Sequence, residues 1–158
     1  MNALKGSARP FAALLCAALL AACSDRQKPT QAQPMSTPAQ SLQVLGALQV
    51  RYNALPSLAL PESAVKAYGI DRGAGRGLVI VALRQLRDGE EVPVEGRVRG
   101  LAVDLSGRRQ EIAFKPVRTG DAVDQVGSVE ISPRDVLRFQ LEVMSDVGGG
   151  KFAFERSF

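Results

Sequence analysis

The 158-residue chain sets 20 Lys and Arg against 16 Asp and Glu, for a formal net charge of +4, and contains no histidine, no tryptophan and two cysteines. Without histidine there is no imidazole for general acid–base work, for Ser-His-Asp or Cys-His nucleophilic sites, or for the common zinc and copper sites. Aromatic residues make up only 5% of the chain, too few to line a sugar-binding cleft.

Lys5 and Arg9 precede an unbroken small-apolar run from Phe11 to Ala22. A run of about a dozen residues is too short for a bilayer core, which needs roughly 20. A basic start, a short apolar segment and small residues at the exit predict a secretory signal peptide over residues 1–22. Its end, Leu20-Ala21-Ala22-Cys23, resembles the lipobox of bacterial lipoproteins. That resemblance implies cleavage before Cys23, a diacylglyceryl group on its thiol and a further acyl chain on the freed amine. Ser24 in the next position resembles an outer-membrane address. Loss of residues 1–22 removes Cys16, Lys5 and Arg9, so the net charge falls to about +2 and the one remaining cysteine is spent on lipid. No intramolecular disulfide can then form, and the case for a nucleic-acid partner weakens.

Residues 24–41 are polar, with Pro29, Pro34 and Pro38, and have almost nothing to bury. With Cys23 they predict a lipidated, flexible tether over 23–41, reaching on the order of 20–25 Å. Residues 42–158 then form one domain with a strand-like pattern nearly throughout. Leu42, Val44, Leu48, Val50 and Tyr52 alternate with polar or small residues. Pro61 to Tyr68 predicts a short helix, with proline in its first turn and Gly69 as its stop, capping one end of the core through Val65 and Tyr68. Leu78 to Leu83 is apolar on both faces and reads as a central strand.

Val92, Val94 and Val98 share one phase, and Leu101, Val103 and Leu105 the other, which predicts a bulge or bend at Gly100. Ser106-Gly107 reads as a hairpin turn. Leu137, Phe139, Leu141 and Val143 alternate with polar partners. Gly148 to Gly150 would turn the chain into a last strand with Phe152 and Phe154 inward. The fold class expected is all-β: an immunoglobulin-like antiparallel β-sandwich of about seven strands with one short helix.

Few residues suggest chemistry. Asp71 to Gly77 is glycine-rich but precedes a strand, so a turn is the better reading than a phosphate cradle. Asp121 and Asp124 lack calcium-loop spacing. Glu62 with Glu95, or Asp104 with Glu111, could in principle serve a carboxylate-only hydrolase, but few aromatics are present to line its cleft. Arg97, Arg99, Arg108, Arg109 and Arg118 could meet acidic lipid headgroups or polysaccharide, but, interspersed with glutamates, they read better as a mixed-charge solvated sheet face. No metal or cofactor is expected.

Three runs, Arg51-Tyr52-Asn53-Ala54-Leu55, Leu60 to Arg72 and Gly77-Leu78-Val79-Ile80, resemble a family of exported proteobacterial proteins known as domain of unknown function 4426. The likeness extends over residues 42–158, with Gly73 standing where the family has serine. The resemblance implies a sandwich domain and an envelope location, and no activity. Within these runs Tyr52, Asn53, Tyr68 and Arg72 are the expected recognition or structural cluster, with a Tyr ring under the Arg72 guanidinium.

These features predict a non-catalytic, lipid-anchored envelope protein, held to the membrane through Cys23, that binds another envelope protein or assists assembly. The alternative is a periplasmic small-ligand or lipid-binding lipoprotein with a cavity between its sheets.

Overall fold

The computed structural model describes residues 40–158. The expected signal peptide, Cys23 and nearly all of the tether lie outside the described residues. Ten strands form two antiparallel sheets. The first has the order β1 (Ser41–Leu45), β2 (Leu48–Pro56), β3 (Arg76–Arg87), β8 (Ala122–Glu130) and β7 (Lys115–Thr119), with β4 (Glu90–Pro93) paired to the far end of β3. The second has the order β10 (Gly148–Ser157), β9 (Val136–Ser145), β5 (Gly96–Asp104) and β6 (Arg109–Ile112).

The fold is the expected all-β sandwich, with ten strands in place of about seven: two segments that read as continuous are divided, and β7 is a strand the sequence pattern did not show. Gly46, at φ +66°, turns the first segment into a β1–β2 hairpin. A positive φ costs glycine nothing, and glycine opens this kind of two-residue turn. The Val92–Val98 run breaks between β4 and β5, and the chain crosses from one sheet to the other between β6 and β7.

The core lies between the sheets. Leu48, Val50, Ala54, Val79, Val81 and Leu83 of the first sheet meet Val98, Ala102, Ile112, Leu137, Phe139, Leu141 and Val143 of the second. Phe139 is fully buried, its ring stacked on Phe154 at 4.9 Å. Each such side chain contributes roughly 1.5–3 kcal/mol by leaving water. The β9 alternation is as the sequence predicts, and Phe152 and Phe154 point inward from β10. The turn between them is at Asp146-Val147, one step before the three glycines, which already belong to β10.

Strand β3 is buried on both faces. Leu78 and Ala82 face away from the other sheet, as do Leu55 and Val126 on neighbouring strands, and all four are buried. Helix α1 (Glu62–Ala67), preceded by Pro61 and stopped at Gly69 (φ +64°), buries Val65 on this side. Lys115 Nζ donates to the Gly69 carbonyl at 3.2 Å, which holds the helix end over the outer face of the first sheet. The helix therefore covers a sheet face, whereas the sequence suggested that it caps an end of the sandwich.

The expected bulge at Gly100 is absent. The β5–β9 ladder runs without interruption from Gly96 opposite Ser145 to Asp104 opposite Leu137. Gly100 is needed for packing: a Cβ there would lie 2.8 Å from both Leu141 and Phe114. Gly100→Ala is expected to cost about 1–3 kcal/mol by overpacking, and Phe139→Ala about 3–5 kcal/mol, both read from urea unfolding. A Gly100→Ala protein as stable as the parent would contradict this packing.

Candidate functional site

Because β5 keeps its register through Gly100, its side chains alternate strictly. Val98, Gly100 and Ala102 face the core, while Arg97, Arg99, Leu101 and Val103 face outward. Leu105, just beyond the strand, is 83% exposed. The second sheet thus carries an apolar stripe on the face turned away from the core, where an antiparallel sheet ordinarily shows polar residues.

Cross-strand pairing arranges this outer face in three rows. Lys151, Glu142 and Arg99 form one. Ala153, Gln140, Leu101 and Glu111 form the next. Glu155, Arg138, Val103 and Arg109 form the third. The middle row is the floor of an open depression of about 1160 Å³ whose walls include Arg99, Arg109, Arg138 and Lys151. A smaller hollow of about 330 Å³, lined by Val103, Leu105 and Val136, adjoins it across Arg138 and Gln140. Lys151 pairs with Glu142 at 3.5 Å. Among the described residues, Arg97, Arg99, Arg109 and Arg138 form no ion pair.

The β5–β6 turn fixes the position of Leu105. The Asp104 carboxylate accepts hydrogen bonds from the Ser106 hydroxyl (2.6 Å), the Ser106 and Arg108 amides (both 2.9 Å) and the Arg108 guanidinium (3.1 Å). These donors, the Ser106 hydroxyl foremost, hold its pKa down to about 2. That is opposite to what a general acid needs, so Asp104 does not suit the hydrolase pair considered above. Gln110 braces the same corner. Its amide donates to the Glu130 carbonyl (3.1 Å) and accepts from the Glu130 amide (2.9 Å), joining the edge of one sheet to the other.

The outer face of the first sheet has a different character. The Arg51 guanidinium is hydrogen-bonded to Glu91, which lowers the Glu91 pKa. Arg84 pairs with Asp124 at 3.3 Å, both side chains mostly covered. Tyr68 lies near Asp124, and partial burial, reinforced by that charge, raises its hydroxyl pKa. Arg51 and Arg84 are thus committed to partners.

The four residues singled out in the sequence do not form one cluster. Tyr52 faces the core, its ring 4.9 Å from Phe152 and 4.6 Å from Phe154. Asn53 points to the opposite side of β2, and Tyr68 stands over that opposite face. Arg72 donates to the carbonyls of Leu58 (3.2 Å) and Leu60 (3.4 Å), tying down the chain that leads into α1. Nearby, the buried Ser57 hydroxyl bonds both the amide and the carbonyl of Gly73 at 2.9 Å, so the Asp71–Gly77 stretch is a fastened turn. On the outer face of the second sheet, the sequence reading makes Arg97, Arg99 and Arg109 a solvated mixed-charge face and misses the apolar stripe among them. Its signal was the change of apolar phase after Arg97 and Arg99, which the sequence reading assigned to a bend.

Among the described residues no three His, Cys, Asp or Glu side chains gather closely enough to hold a metal ion, and no helix is long and apolar enough to cross a membrane. The architecture defines a two-sheet β-sandwich with an open depression on the outer face of its second sheet.

The chain belongs to the family described as domain of unknown function (DUF4426), whose model matches residues 42–158. A crystal structure of a DUF4426 protein from Pseudomonas aeruginosa is similar at 28% identity and a TM-score of 0.65, covering 76% of this chain and 94% of that one. A copper-bound variant of FetP from uropathogenic Escherichia coli is similar in fold at 11% identity, with a TM-score of 0.52 over 76% of this chain and 95% of that one. FetP as isolated after expression in the E. coli periplasm gives 11% identity and a TM-score of 0.51, over 76% and 93%. No curated protein matches the chain.

The Asp104 turn has a pH signature. A carboxylate whose folded pKa is depressed to about 2 stabilises the fold above its unfolded pKa near 3.8, and that contribution is lost as pH falls toward 2. Asp104→Asn is expected to flatten this acid segment of the stability profile, measured by thermal melts across that range. A profile unchanged by the substitution would count against the turn as drawn.

Proposed function

We propose that this protein is a non-catalytic, lipid-anchored module of the cell envelope that binds another envelope component, as a partner or an assembly aid, through the outer face of the β10-β9-β5-β6 sheet. The carrying observation is the outward stripe of Leu101, Val103 and Leu105 set among arginines that have no ion-pair partner among the described residues. Apolar side chains rimmed by polar ones on an exposed surface mark interaction sites. Arginine is favoured there because it covers apolar area with its stem and donates hydrogen bonds at its tip.

The small-ligand reading draws only on shared architecture with FetP. Copper bound to FetP carries little for a chain without histidine, and the space between the sheets is filled by Leu137, Phe139 and Leu141, all nearly or fully buried. A surface partner suits this packing better than a ligand between the sheets. An envelope location rests on the export segment and on the family likeness.

Two experiments test the reading. Cys23→Ala is expected to abolish acyl labelling and, with it, cleavage before residue 23, so that the unprocessed chain runs larger on a gel; labelling or cleavage that persists in the variant would refute the anchor. Val103→Asp with Leu105→Asp, both outward, should leave the melting temperature nearly unchanged while in-cell crosslinking recovers partners about tenfold less well. Recovery of the same partners from this variant would overturn the assignment of the surface.

A further inference from the structure

We infer that the partner seated on this face is an acidic polypeptide segment in extended conformation, lying across the β10, β9 and β5 strands between two cationic banks. The inference rests on the surface assignment above and adds the chemistry of what binds there.

The rows supply the geometry. Lys151 and Arg99 stand on one bank and Arg138 and Arg109 on the other, with Ala153, Gln140 and Leu101 between them. Banks four residues apart along the strands are separated by about 13–14 Å, and crossing β10, β9 and β5 spans about 10 Å, the length of about three extended residues. Such a segment can send alternate side chains to the floor and to the banks.

Charge sets its sign. On this face Arg97, Arg99, Arg109, Arg138 and Lys151 stand against Glu111, Glu142 and Glu155, and the only ion pair among them is Lys151 with Glu142. Arg51 and Arg84 on the other sheet found carboxylates within the fold; Arg99, with Glu142 directly across the ladder, did not. Glu111 closes the β6 end of the floor, which directs an acidic occupant toward β5, β9 and β10. A bilayer surface also carries negative charge, but Glu142, Glu155 and Glu111 stand among these cations, and a chain can set its carboxylates against the arginines alone where a continuous array of headgroups would also meet the glutamates. The charge pattern favours a chain.

The test uses protein purified from membranes in detergent and a fluorescein-labelled peptide of alternating glutamate and valine, with its lysine-for-glutamate counterpart as control. Fluorescence anisotropy should show binding of the glutamate peptide alone, weakening as salt is raised. Arg99→Glu with Arg138→Glu should weaken it by about tenfold or more; Arg99→Gln with Arg138→Gln serves if the reversal fails to fold, with a smaller loss.

Equal binding of the lysine peptide, or binding that survives both pairs of substitutions, would overturn the inference. So would failure of the peptide together with protection of these arginines from phenylglyoxal by phosphatidylglycerol vesicles but not by phosphatidylcholine vesicles, a result that assigns the face to the membrane. If the peptide fails while Val103→Asp with Leu105→Asp still abolishes capture in cells, the surface stands and the acidic partner falls.

Discussion

The hydrogen-bonded ladder between β5 and β9 governs most of what distinguishes this domain. Once Gly96 is opposite Ser145 and the register runs unbroken to Asp104 opposite Leu137, every β5 side chain is assigned to one of two faces. A slip or bulge of one residue would exchange those faces. The core could then take Leu101 and Val103 and reject Val98 and Ala102. The ladder holds because the inner face has no room for a larger residue at Gly100, where Leu141 and Phe114 close over the strand. Packing inside the sandwich thereby forces an apolar stripe onto its outside.

The two outer faces show how differently one fold can treat its surface. On the six-stranded sheet the excursion between β2 and β3 lays α1 over Leu55, Leu78 and Val126, and the Ser57 hydroxyl and Arg72 guanidinium fasten its connections. Arg51 and Arg84, beyond the helix, are neutralised by Glu91 and Asp124. The four-stranded sheet receives no such cover from the described residues. Its connections are tight turns at its ends, and the best organised of these, around Asp104, presents Leu105 to solvent.

Such a surface suits recognition more readily than chemistry. Arginines spaced along and across strands supply long-range attraction and directional donors, and the leucine and valine between them supply area to bury. Of the carboxylates nearby, Asp104 is held ionised by its turn and Glu142 is paired with Lys151. Proton transfer near neutral pH needs groups poised close to that pH.

Much of the fold was legible in the sequence because strand alternation, turn glycines and the helix signals around Pro61 and Gly69 are local. Leu137 to Val143 and the two-faced burial of β3 needed only a period of two and a count of apolar residues. The strand number was not legible, since Gly46 and the break between β4 and β5 interrupt segments that keep their apolar rhythm, and the pattern does not show β7. Tyr52, Asn53, Tyr68 and Arg72 looked like neighbours because they are close in the chain, but β2 sends successive side chains to opposite faces and the excursion to α1 returns over only one of them. By itself the sequence determined a histidine-free chain with the alternation of a β-sandwich. Only the tertiary structure decided which of two apolar phases in β5 would be buried, because that depends on the space left between the sheets, and so placed Leu101, Val103 and Leu105 beside arginines on the surface.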